Sequence, residues 1–179
     1  LAFISFQWFT SNSRDSKRIS DVRQISKWLE IIKSQDWMLP EPTNSILVSS
    51  WSLNLLVQWL AWKEVLNTIR VNEDAIDPLD KTYYTYTTNS SRTRYQLLTL
   101  LENNPTANLL VPTTYANYET RIAYVTWDKV WVLVEPITNR PVNELKQNID
   151  LSTDTTSYNI IFSRSEDEVL SWENLFNQI

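Results

Sequence analysis

Apolar residues open the chain as a near-continuous run, LAFISFQWFT over residues 1–10, interrupted by Ser5 and Gln7. The pattern then changes, with no proline to break it, into a charged segment. There Ile19, Val22, Ile25, Leu29 and Ile32 fall within an arc of roughly 140° at about 100° per residue, the mark of a helix laid on a core. Arg23, Lys27 and Glu30 project from the other side. One continuous helix would thus be apolar all round at its start and one-sided at its end. That combination suits a rod that leaves a membrane and lands on a separate head. By itself the opening run is too short to span a bilayer, which takes about 20 apolar residues. It reads either as a buried helix start or as the end of a membrane segment.

Beyond the helix, which the pattern ends near residues 35–37, periods are shorter. Residues 38–52, with Pro40 and Pro42, read as a loop holding one apolar stretch at 46–48. Residues 53–69 carry Leu55, Leu56, Leu60, Val65, Leu66 and Ile69 and read as one or two short helices. Residues 72–80 form a turn-rich connector bearing Glu73, Asp74, Asp77 and Asp80. Oxygen ligands of that kind suit a hard cation, but EF-hand spacing is absent, and a solvated loop is the reading adopted. The Thr/Tyr-rich stretch 82–88 and the alternating stretch 92–101 predict two strands joined by a turn at 89–91. Residues 103–118 read as a loop, and 121–126 with 129–135 as the clearest hairpin. An irregular stretch follows, with a helical turn at 142–147, then a strand at 158–163 and a closing helix within 166–179. The expected class is α+β: a long N-terminal helix, residues 1–36, packed on an antiparallel head, residues 37–179.

Chemistry is limited by inventory. The 179 residues include no cysteine and no histidine, which removes Ser-His-Asp and Cys-His catalysis and His- or thiolate-based zinc sites. No phosphate-binding glycine loop is present. Carboxylate pairs remain, such as Glu73 with Asp77, or Glu166 with Asp167 and Glu168, and acidic runs of this kind are usually solvated surface. Ser16-Lys17 lies on a charged helix face. The expectation is therefore a protein that is not an enzyme and has no cofactor and no metal. A net charge of −5 gives no general pull toward nucleic acid. Arg14, Lys17, Arg18, Arg23, Lys27 and Lys33 crowd the first helix, but Asp15, Asp21 and Glu30 are interleaved with them. A solvated or filament-packing face is expected there rather than a DNA patch.

The composition has one anomaly: no glycine and nine tryptophans, where glycine averages about 7%. Reading tryptophan as glycine makes the punctuation ordinary. Trp127-Asp128 becomes a hairpin turn, Trp37 a left-handed helix cap, Trp51 part of a Ser/Gly loop, and Trp59 and Trp62 breaks in a helix. A gene in which UGA encodes glycine, translated with UGA as tryptophan, would give this pattern. Trp28 and Trp8, inside the first helix, speak against it, since glycine there costs about 1 kcal/mol relative to alanine.

Two stretches carry a family resemblance. AFISFQ followed by FTSNSRDSKRISDVRQISK, with Asp36 and Met38-Leu39-Pro40-Glu41-Pro42 after it, resembles the end of the N-terminal helix of type IV pilins and type II secretion pseudopilins. Asp77-Pro78-Leu79-Asp80 followed by Thr82-Tyr83-Tyr84-Thr85-Tyr86-Thr87-Thr88-Asn89 is also similar to proteins of this branch. The resemblance implies a pilin-like α+β fold and a structural subunit, anchored in a membrane and then extracted by an inner-membrane assembly platform into an extracytoplasmic filament of like subunits. Leu1, Phe3, Ile4, Phe6 and Phe9 would pack in the membrane and the filament, while Ile19, Val22, Ile25, Leu29 and Ile32 would fasten the helix to its head. The family's prepilin peptidase site and the glutamate near the mature N-terminus are not in this sequence, which starts at Leu1 and is read as a truncated fragment. The alternative is a secreted carbohydrate-binding or adhesive β-rich module that uses its aromatic residues, with Tyr83, Tyr84 and Tyr86 as a platform. A weaker third reading has the basic helix face binding DNA.

Overall fold

Helix α1 runs unbroken over Ala2–Ser34, roughly 50 Å at 1.5 Å per residue. In this computed structural model the described residues are 2–35, 38–42, 45–102, 121–126, 130–135, 140–142, 148–154 and 158–162. After α1 come β1 (Ile46–Ser50), β2 (Leu53–Leu60), α2 (Lys63–Thr68), β3 (Thr85–Asn89), β4 (Tyr95–Leu101), β5 (Ile122–Val125), β6 (Trp131–Val134), β7 (Ile149–Asp150) and β8 (Asn159–Phe162). Six strands form one sheet in the order β5-β4-β3-β2-β1-β7, and β6 and β8 form a second, two-stranded sheet. All pairings are antiparallel except β1 with β7. The class is α+β.

The buried side chains gather in two main cores and a small third cluster of Leu98, Val132 and Val134. On the helix side, Val22, Ile25, Leu29 and Ile32 of α1 meet Tyr84, Tyr86, Tyr95 and Leu97, with Val65, Leu66 and Ile69 from α2 and its C-terminus closing the cluster. On the other side, Ile46, Val48, Leu56 and Trp59 pack with Leu133 and Ile149. Gln58 joins the two sheets there. Its Nε2 donates to Leu133 O at 2.8 Å and its Oε1 accepts from Leu133 N at 2.7 Å, so a side-chain amide acts as a strand partner.

Three expectations are corrected. Residues 53–60 are a strand rather than a helix, because β2 lies inside the sheet and is covered on both faces at its inner end. A continuous apolar run of that kind cannot be told from a helix by period alone. The loop expected over 38–52 contains β1, which pairs with β2 through a two-residue turn. Residues 121–126 and 129–135 do not pair with each other: β5 joins β4, and β6 joins β8 in the other sheet. Alternation announces a half-buried strand but does not name its neighbour. The expected hairpin over 82–101 is present as β3 and β4, and the strand expected at 158–163 as β8. The expectations for 103–118 and 166–179 lie outside the described residues, as does the helical turn at 142–147 apart from Val142.

The tryptophans fall into different environments. Trp51 and Ser52 make the β1–β2 turn with φ of 50° and 67°, the left-handed pair of a type I′ turn that favours glycine, and Trp51 is 74% exposed. Trp59, by contrast, fills part of the second core, and Trp28 lies against the first. Trp37 and Trp127 lie outside the described residues. Since a non-glycine residue in this region costs about 1–2 kcal/mol, Trp51→Gly is expected to raise stability by about 1 kcal/mol, read as a higher urea midpoint. A lower midpoint would show that the exposed indole contributes more than the backbone loses.

Candidate functional site

The buried positions of α1 from residue 11 onward are Ser11, Asp15, Arg18, Val22, Ile25, Leu29 and Ile32. Their spacing alternates between four and three, so they form one seam along the helix. The seam is apolar in its second half and ionic in its first. Ile19, expected in the core, lies beside the seam and is half-buried. Arg18 takes the inward place, at 0% exposure.

Three carboxylates surround that guanidinium. Arg18 Nε and Nη2 donate to both oxygens of Asp77, at 2.7 and 3.0 Å, while Nη1 donates to Asp15 Oδ1 and Glu102 Oε1, each at 2.6 Å. Arg14 adds a second cation, its Nε donating to Glu102 Oε1 at 2.8 Å and its Nη2 pairing with Glu102 Oε2. Asp15 also accepts the Glu102 backbone N–H at 2.9 Å. Asp77 Oδ1 accepts the N–H groups of Leu79 and Asp80, at 2.8 and 2.9 Å, and so shapes its own loop. Beside it, Arg121 holds Asp80 through two bonds, of 2.5 and 3.1 Å. The cluster ties α1, the 72–82 loop, the end of β4 and the start of β5 at one end of the sheet.

The electrostatics follow from this geometry. Burial alone would push Asp77 up, but the Arg18 guanidinium and the N–H groups of Asp80 and Leu79 outweigh it and hold the carboxyl below its usual range. Glu102 is held down chiefly by Arg14, with burial opposing and Arg18 assisting. For Arg18, burial favours losing the proton, yet the bonds to Asp77, Glu102 and Asp15 keep the cation above its ordinary value. Every charge in the cluster has a partner, which is the condition for tolerating it in a buried place.

The expected site residues are distributed as follows. Val22, Ile25, Leu29 and Ile32 lie in the helix-side core. Phe3, Ile4, Phe6 and Phe9 lie on the first turns of α1, and Leu1 lies outside the described residues. The acidic loop is not wholly solvated, since Asp77 is 5% exposed. The basic face is not wholly solvated either, because Arg18 points inward while Arg23 and Lys27 are exposed. Glu73 and Asp77 serve different partners, Glu73 bonding Asn67 and Lys63. Lys17 pairs with Asp21 at 2.6 Å. Tyr84 and Tyr86 are buried against α1, their hydroxyls donating to Asp21 and to Pro40 O, and form no platform. Tyr83 remains half-buried at the surface, its ring centroid 5.2 Å from that of Trp62. A neighbouring open cleft is lined by Asp77, Asp80, Tyr83, Glu135 and Arg140, but Asp77 and Asp80 are already committed to arginines. Among the described residues no group of three or more acidic side chains is placed to hold a metal ion. No described helix is long and apolar enough to cross a membrane.

No protein-family model matches the sequence, and comparison with curated proteins and with solved structures finds no match.

Removing Arg18 leaves buried carboxylates unpaired, so Arg18→Met is expected to cost about 3–5 kcal/mol in urea denaturation. Arg23→Met, on the exposed face, should stay within about 0.5 kcal/mol. Equal effects would show that the cluster does not hold the helix. The pH dependence has a definite sign. Asp77 and Glu102 bind protons more weakly when folded than when unfolded, so their contribution is complete above about pH 5 and is lost as pH falls through their folded values. Urea midpoints measured from pH 7 down to pH 2 should decline below about pH 5, and the decline should be shallower in Arg18→Met.

Proposed function

We propose that this chain is a structural subunit of a type IV pilus or of a type II secretion pseudopilus, assembled through its N-terminal helix. The observation that supports the reading most is the division of α1. The helix is one unbroken element, and its ionic fastening to the head begins at Arg14 and Asp15. Upstream of Arg14 lies roughly 18 Å of helix that begins with the apolar run containing Phe3, Ile4, Phe6 and Phe9. A helix fastened to its head from Arg14 onward and opening on an apolar run is suited to storage in a membrane and to bundling with copies of itself. The antiparallel sheet packed on α1 agrees with the pilin-like head that the sequence resemblance implies. The Asp77-Pro78-Leu79-Asp80 stretch of that resemblance is the loop that grips Arg18. The carbohydrate-binding reading has less support, because two of its three tyrosines are in the core.

Two substitutions separate folding from assembly. Ile25→Asp buries an unpaired charge in the helix-side core and is expected to unfold the head. Phe6→Asp is expected to leave the head's urea midpoint within about 0.5 kcal/mol of the parent while abolishing filaments seen by electron microscopy on producing cells. Normal filaments from Phe6→Asp would overturn the proposal.

A further inference from the structure

The 179 residues hold nine tryptophans and no glycine, where a chain of this length would ordinarily carry roughly a dozen glycines. The backbone nevertheless has places that favour glycine. Trp51, Ser52, Arg70, Lys81 and Arg92 all have φ between 50° and 67°, the left-handed region that any residue with a Cβ enters at a cost. Of the five, Trp51 carries the bulkiest side chain, and bulky residues are the true outliers there. It takes the first place of the two-residue turn between β1 and β2, which Asn, Asp or Gly fills in type I′ turns. Little packing compensates, since the indole is 74% exposed.

Trp62 stands at a second such place. It is the N-cap of α2, with extended φ and ψ of −66° and 174°, and its side chain makes no bond to the helix N–H groups. N-caps favour Ser, Thr, Asp, Asn and Gly, and an apolar side chain there satisfies no donor. The indole is 41% exposed, and its ring meets Tyr83 at the surface, centroids 5.2 Å apart. The packed tryptophans differ. Trp59 fills part of the second core and Trp28 lies against the first, so neither occupies a place that favours a residue without a side chain.

We infer that positions 51 and 62 are glycine in the protein as its own cells make it, encoded there by UGA. UGA differs from the tryptophan codon UGG in its last base. Reassignment of that one codon exchanges tryptophan for glycine and alters nothing else in the chain. It accounts together for the absent glycine and the surplus tryptophan. The consequence for recognition is direct. The β1–β2 turn offers bare backbone, and Tyr83 has no ring partner beside the cleft lined by Asp80, Glu135 and Arg140. A ligand that stacks on exposed tryptophan then finds no indole at either place. This inference stands apart from the filament-subunit reading, which needs no aromatic surface.

The test reads the protein from the cells that make it. Its tryptic peptide over residues 34–63, released by cleavage after Lys33 and Lys63, carries positions 51 and 62 together. Tandem mass spectrometry separates glycine from tryptophan at each. The gene sequenced from the same cells should show UGA at both codons, and the peptide should show glycine at both positions. UGG at either codon, or tryptophan in the peptide at either position, would overturn the inference. A second measurement uses the full chain produced with tryptophan throughout. Trp51→Gly combined with Trp62→Gly should keep its circular dichroism and shift the urea midpoint upward. A double variant that loses the fold, or whose midpoint falls, would count against glycine at these positions. Filament loss in Phe6→Asp cells does not depend on any of these outcomes, so the two proposals fail separately.

Discussion

A guanidinium with no exposed surface can be tolerated only if its charge is answered on the spot. Arg18 is answered by Asp15 from its own helix, Asp77 from a loop and Glu102 from the end of a strand. Those three groups come from parts of the chain that hydrophobic packing alone would bring near one another without fixing their positions. Directional bonds to both oxygens of Asp77 do fix them. The loop then has a defined course, because the same carboxylate collects the N–H groups of Leu79 and Asp80. Arg18 therefore sets the register of α1 on the sheet, while Val22, Ile25 and Leu29 contribute most of the apolar burial. A slide of one helical turn would leave both the cation and its carboxylates buried and unpaired.

The second core is tied more lightly. Gln58 provides the polar connection between the main sheet and β6, and it does so with an amide that carries no charge and engages both backbone groups of Leu133. On the helix side an ionic cluster specifies position; on the β6 side one glutamine does.

Much of this was legible in the residues, and the omissions have identifiable causes. The long helix and its end near residue 35 follow from period and from the prolines at 40 and 42, and β3 with β4 follow from Thr/Tyr content and a short polar turn. The strand β2 was hidden because LNLLVQWL is a central strand and shows no alternation. The partner of β5 was hidden because sheet membership is decided by contacts distant in sequence. Arg18 was the most instructive omission. Treating all basic residues of α1 as one solvated face overlooked that Asp15 and Arg18 continue the four-three spacing of Val22, Ile25, Leu29 and Ile32. Extending the apolar seam backward by that spacing lands on both. A charge at a seam position should prompt a search for its counter-charges, and the acidic loop at 72–80 was the obvious reservoir. Glu102 gave no comparable signal, since a lone glutamate after a strand is ordinary.

The order of contacts along the chain bears on how the protein reaches this state. The β1–β2 and β3–β4 hairpins join strands that are close in sequence, whereas Arg18 meets Asp77 and Glu102 across 59 and 84 residues of chain. Closing loops of that length is entropically costlier than turning a hairpin, which implies that the two hairpins form before α1 docks. Until Asp77 and Glu102 have emerged and taken their places, the first helix has no ionic seat. A chain delivered N-terminus first thus keeps its leading helix undocked while the remainder is still arriving.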